Sequence, residues 1–195
     1  MSDIAILKEM IKDTSTASLV KHKNNNYKAI LEQKEDKDSN NPKANYTVEI
    51  IGLPGNGDVI VIKVDTFEAP NSIFNGNNGE CKRSDFVIIA DVEPKKIIVY
   101  IELKAGSGGT KQELIHQLKG AECFIRYCKD IGRSFWDRND FLNEYEHRFV
   151  AILRICNSIR KKPTSEKDRK ILNNTPDKML KIGHRQEIYF RELIK

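Results

Sequence analysis

Apolar positions repeat with two different periods along this chain, and the changes of period mark its elements. Ile4, Leu7, Met10 and Ile11 fall at helical spacing, so residues 3–12 predict a short amphipathic helix. From His22 to Asn45 the chain is mostly Asn, Lys, Glu and Asp. Tyr27–Leu31 interrupts this stretch and reads as a helical turn or two within a solvated connection. The period then shortens. Tyr46–Leu53 and Asp58–Val64 are rich in β-branched residues and flank Pro54, Gly55, Asn56 and Gly57, which together predict a hairpin. An Asn- and Gly-rich loop (Asn71–Gly79) leads to two apolar strands, Phe86–Ala90 and Ile97–Leu103.

A helix start follows, with Thr110 as N-cap and Glu113 three residues later at capping-box spacing. Leu114, Leu118, Ala121, Ile125 and Cys128 then line one face of a core-packed helix. Phe149–Ile155 predicts another buried strand, and Glu187–Leu193 a closing one. The expected order is helix, four strands, helix, strand and a mixed tail. That is an α/β domain with a mixed sheet flanked by helices.

Composition narrows the class. The 195 residues suit one domain, and 39% apolar content suffices for one core. The longest wholly apolar runs are Phe86–Ala90 and Ile97–Ile101, far short of the ~20 residues of a membrane helix. The N-terminus has no basic region followed by a long apolar stretch, so no secretion signal is read. Cys81, Cys123, Cys128 and Cys156 form no CxxC pair, so reduced thiols in a cytoplasmic protein are expected. A net charge of +5 permits a nucleic-acid partner without demonstrating one.

Chemistry concentrates in one segment. Acid-x-Lys tripeptides occur six times, but only Glu102-Leu103-Lys104 ends a buried strand. Along a strand Glu102 and Lys104 share a face and Leu103 takes the other. If Phe86–Asp91 and Lys96–Glu102 pair antiparallel with Asp91 opposite Lys96, then Asp85 falls opposite Glu102. Opposed residues have β-carbons about 4.5–5.5 Å apart. Two facing carboxylates repel, and a hard cation such as Mg²⁺ between them supplies the reason to keep them. Lys104 would hold an attacking water or offset charge in the transition state.

Asp85, the Glu102-Leu103-Lys104 motif and the capped helix carrying Gln117 together resemble the PD-(D/E)XK nuclease superfamily. The resemblance covers about residues 46–156 and implies the restriction-endonuclease-like fold. It implies that Asp85 and Glu102 bind Mg²⁺ or Mn²⁺, with the Leu103 carbonyl as a further ligand. Lys104 would position the water, and Gln117 would orient it or the phosphate. An additional acid from the first helix is matched by Glu9, with Glu49 and Glu80 competing. Ser84 stands where the name-giving Pro would be, and Ala121 departs from the Gln-x-x-x-Tyr pattern of the RecB-like branch. The implied activity is a metal-dependent endonuclease acting on nucleic acid, DNA before RNA, of the kind used in restriction or phage defence. A homodimer or a defence-complex partner would fit, and no membrane is expected. The alternative is a catalytically silent nucleic-acid- or protein-binding module that retains the fold.

On this reading residues 1–195 form one domain, with helix 3–12, linker 22–45 and a basic extension 157–195 around the core. Arg160, Lys161 and Lys162 are its candidate phosphate contacts. Gly106–Lys111 lacks the Gly-Lys-[Ser/Thr] ending of a P-loop and reads as a hinge. His22, His116, His147 and His184 have no metal-ligand spacing, and His116 reads as a helix-surface residue. Cys123 and Cys128 read as packing residues on the capped helix.

Overall fold

A computed structural model describes residues 1–33, 46–68, 70–104, 109–153 and 172–194. Helix α1 (Asp3–Met10) is followed by strands β1 (Leu19–Lys21), β2 (Tyr27–Gln33), β3 (Tyr46–Leu53), β4 (Val59–Lys63), β5 (Phe86–Val92) and β6 (Lys95–Lys104). Helix α2 (Lys111–Phe135) leads to β7 (Tyr145–Leu153), β8 (Leu180–Gly183), β9 (Glu187–Tyr189) and α3 (Phe190–Leu193). The strands form two mixed sheets, one of order β4-β5-β6-β7-β8 and one of order β1-β2-β3-β9. In the first, β4–β5 and β5–β6 are antiparallel, while β6–β7 and β7–β8 are parallel. Helix α2 is the crossover that the parallel β6–β7 pair requires.

Both faces of the five-stranded sheet are covered, which explains why Phe86–Ala90 of β5 and Ile97–Ile101 of β6 are apolar on both faces. Alternation sends Val87, Ile89, Ile98 and Tyr100 to one face, against Ile4 and Leu7 of α1 and Leu118 and Ile125 of α2. It sends Ile88, Val99 and Ile101 to the other, against Leu31, Val48 and Ile50 of the second sheet. The core therefore extends beyond residues 46–156, taking in Ala29, Leu31, Ile188, Phe190 and Leu193. No helix among the described residues is long and apolar enough to cross a membrane.

The general α/β class holds, with four local corrections. The closing strand expected at Glu187–Leu193 is strand only over Glu187–Tyr189 and turns helical at Phe190–Leu193, where Phe190 and Leu193 reach the core on one side. Helices α1 and α2 cover only one face of the central sheet, because the second sheet occupies the other. Tyr27–Leu31 is strand and not helical turn: Ala29 and Leu31 face the core while Ile30 and Glu32 face out, the alternation of a half-buried strand. Residues 46–53 and 58–64 do not form a hairpin. β3 pairs with β2 and β9, β4 pairs with β5, and the turn at Asn56–Asp58 carries the chain from one sheet to the other. The polar stretch 34–45, the end of the strand expected to reach Ile155, Cys156, the hinge residues 105–108 and the cations Arg160, Lys161 and Lys162 lie outside the described residues.

Candidate active site

Strands β5 and β6 pair in the expected register, Asp91 with Lys96 through Phe86 with Ile101. The next step along this ladder sets Asp85 against Glu102. Asp85 there accepts a 2.7 Å hydrogen bond through Oδ2 from the backbone N–H of Leu103. Glu102 is fully buried, in register with Ala151 of β7, because β6 is an interior strand. Its Oε1 lies 2.7 Å from Lys104 Nζ in an ion pair. Alternation puts Asp85, Glu102 and Lys104 on the face that carries α2, while Leu103 points into the core between the sheets.

Helix α2 is fixed over this end of the sheet by its first turn. The Thr110 hydroxyl accepts from the Glu113 N–H at 3.2 Å, and Glu113 Oε2 accepts from the Thr110 N–H at 2.8 Å. Glu113 is held below the ordinary carboxylate range, chiefly by those Thr110 bonds and further by Lys82 and Lys104. Two turns on, Gly120 sits on the chain that leads into Asp85: a β-carbon there would lie 1.7 Å from the Lys82 carbonyl oxygen. Gln117 lies between these contacts, three residues before Gly120.

The electrostatics are those of a site under strain. Burial pushes the Asp85 carboxyl well above its usual range, against the pull of the Leu103 N–H and of Lys104. Burial also raises Glu102, and repulsion from Asp85 adds to it, while Lys104 pulls the other way. Seven buried side-chain polar atoms lack a hydrogen-bond partner among the described residues, and four of them are Ser84 Oγ, both carboxylate oxygens of Glu102 and Gln117 Oε1. Lys104, at 2.7 Å from Oε1, is the charged group that partly compensates Glu102. A buried carboxylate whose oxygens are not fully satisfied is costly in a native core. The two Glu102 oxygens, which feel the charge of Asp85, suit a hard cation and its waters.

The other candidates lie elsewhere. Glu9 Oε2 accepts from the Trp136 indole N–H at 3.3 Å, at the far end of α2. At ~1.5 Å per helical residue, Trp136 is about 28 Å along the axis from Gln117, so Glu9 does not join the acid pair. Glu49 pairs with Lys28 on the second sheet at 2.9 Å. Glu80 accepts from the N–H groups of Gly76 and Asn78 at 2.9 and 2.8 Å, closing its own loop. His116 meets Gln112 at 2.6 Å, and His147 meets the Tyr100 hydroxyl at 3.0 Å. Cys128 is buried, with its thiol pushed up to about 12 by burial. Cys123, expected to pack, is exposed instead.

Asp65 was missed by sequence reasoning. The Val64 N–H donates to the Asp85 carbonyl at 2.9 Å, and the Asp65 charge helps to raise Asp85. The register Lys63 with Phe86 would have exposed it, but reading 58–64 as the partner of 46–53 hid that pairing. Among the described residues no group of three or more His, Cys, Asp and Glu is gathered so as to hold a metal ion, so the protein's own set here is an acid pair.

Comparison with protein-family models, with curated proteins and with solved structures finds no match. What the chain defines by itself is a mixed α/β protein with two mixed sheets and, at the end of the central one, a fully buried Glu102 beside a half-buried Asp85 and a lysine.

Proposed function

We propose that this protein is a metal-dependent phosphodiesterase acting on nucleic acid, an endonuclease with the restriction-endonuclease-like core that its motif resembles. One observation carries the reading: Glu102, fully buried and without a hydrogen-bond partner among the described residues, faces Asp85 and Lys104 at the end of the central sheet. A fully buried carboxylate facing a second acid destabilises the fold unless a ligand compensates the charge. Asp85 and Glu102 would hold Mg²⁺ or Mn²⁺, with the Leu103 carbonyl as the further ligand that the resemblance implies. Such an ion, when bound, supplies Lewis acidity and a nucleophilic water at neutral pH.

The chain's own groups do the rest. The Leu103 N–H fixes the Asp85 carboxylate. Lys104, half-exposed at the strand end, holds the attacking water or offsets the charge that develops on phosphorus. Gln117 Oε1, buried and without a hydrogen-bond partner among the described residues, accepts from that water.

The test is a cleavage assay on plasmid, single-stranded DNA and RNA, with Mg²⁺, Mn²⁺ or chelator. Nicking or cutting that needs the metal and stops with chelator is expected. Cleavage by metal-free protein in chelator would overturn the metal mechanism. Metal binding without cleavage of any substrate would favour the silent binding module.

A further inference from the structure

A group of aromatic side chains on the turn bonded to Asp85 and on the middle of α2 takes no part in the chemistry above. Phe67 is 41% exposed and Tyr127 55% exposed, although both are large apolar rings. Beneath them the buried Phe124 ring lies 5.2 Å from Phe67, and Tyr127 lies 6.3 Å from Phe67. The Arg83 guanidinium sits over the Phe67 ring at 5.3 Å. Arg83 is itself tied down, donating from Nη1 to the Glu68 carbonyl at 2.9 Å.

Position relative to the acids gives this patch its meaning. Arg83 precedes Asp85 by two residues, and Phe67 follows Asp65 by two, at most about 7 Å of chain in each case. The link is rigid. The Val64 N–H donates to the Asp85 carbonyl at 2.9 Å, and the Phe67 N–H donates to the Val64 carbonyl at 3.1 Å. The Thr66 hydroxyl closes the same turn on the Lys63 carbonyl at 2.7 Å. Two hydrogen bonds therefore connect the residue that presents the carboxylate to the residue that presents the ring.

We infer that Phe67, Tyr127 and Arg83 form a stacking platform for unpaired bases, so that the substrate is presented to Asp85 and Glu102 as single-stranded nucleic acid or a splayed end. This rests on the phosphodiesterase reading and names its substrate class. Exposed rings bind bases through their faces, which every base has, and a duplex hides those faces within its own stack. A guanidinium over a ring can both stack on a base and pair with a phosphate, which an aliphatic protein-docking patch does not require. The buried Phe124 holds the platform in place, so little order is lost on binding.

The experiment measures anisotropy of a fluorescein-labelled single-stranded oligonucleotide and of its duplex, in chelator and in Mg²⁺, with the full chain. The proteins are the parent, Phe67→Ala, Tyr127→Ala and Phe67→Trp. Each alanine variant should bind the single strand about 5- to 150-fold more weakly, the range for losing one stacked base. Duplex binding should stay close to the parent's, and Phe67→Trp should restore single-strand affinity. A 2-aminopurine base should be quenched by the parent and less so by the alanine variants, which a merely structural role would not produce. Unchanged single-strand affinity overturns the platform. So does an equal loss on strand and duplex, or a change of oligomeric mass in Tyr127→Ala, which would make this patch a contact between copies. If the parent cuts and binds nucleic acid but the variants behave like it, this inference alone fails. If the parent binds neither probe, the phosphodiesterase reading fails with it.

Discussion

At the scale of single residues, Glu102 is where stability and function conflict. A carboxyl whose pKa is raised by folding keeps a proton that the unfolded chain releases. The contribution of this pair to the stability of the metal-free protein is therefore fully present only below the ordinary carboxylate range. It is lost as pH climbs from about 4 towards the raised values of Glu102 and Asp85. Glu102→Gln removes the buried charge and keeps the shape. It should raise the melting temperature of metal-free protein at alkaline pH by a few degrees, since about 1 kcal/mol moves the midpoint of a chain this size by ~2–4 °C. The gain should shrink as pH falls, and excess Mn²⁺ should stabilise the parent but not the variant. Scanning calorimetry across pH, with and without the ion, checks both; a variant less stable than the parent at every pH would contradict the account. Lys104→Ala separates water from metal: cleavage should fall by about two to three orders of magnitude while calorimetry still detects the ion.

At the scale of elements, Gly120 shows how α2 sets the site. A methyl group there would meet the Lys82 carbonyl at 1.7 Å and the Arg83 α-carbon at 3.3 Å, both backbone atoms that cannot simply swing away. Gly120→Ala gains about 1 kcal/mol of helix propensity. Forcing α2 off the chain that leads to Asp85 costs about 1–3 kcal/mol, so net destabilisation is expected in urea titration, with a larger loss of cleavage. This contact was not legible in the sequence, where Gly120 is only a weak point in a helical pattern. What could be read was local. The capping box at Thr110 announced α2, and the short turn after Val92 fixed the β5–β6 register and with it the meeting of Asp85 and Glu102. What failed was non-local. The turn at Pro54–Gly57 signals a reversal of the chain but not which strand receives it, and β4 went to the other sheet. Glu9 has the right residue type on the expected helix, yet only tertiary packing says that α1 meets Trp136 and not the acid end of the sheet.

At the scale of the molecule, the two sheets are joined through the C-terminal segment, and the acid pair depends on it. Strand β7 is bonded on one side to β6, with Glu102 opposite Ala151 and Lys104 opposite Leu153. On its other side the same residues, Val150–Leu153, pair with Leu180–Gly183 of β8. A few residues later β9 closes the second sheet beside β3, and Phe190 and Leu193 of α3 are buried between the sheets. Asn173 fastens this return path: its Nδ2 donates to the Phe149 and Leu193 carbonyls, both at 3.2 Å, and its own carbonyl accepts from the Phe149 N–H at 2.8 Å. Asn173→Ala leaves two buried carbonyls without that donor and should cost about 1–3 kcal/mol. Phe190→Ala opens a cavity between the sheets and should cost about 3–5 kcal/mol. If the segment belongs to one cooperative unit with the site, both variants lower the urea midpoint without changing the slope, and far-UV dichroism and Mn²⁺ affinity are lost in the same transition. A variant whose metal affinity survives after β8 and α3 have melted would show instead that the acid pair is held by β5, β6 and α2 alone.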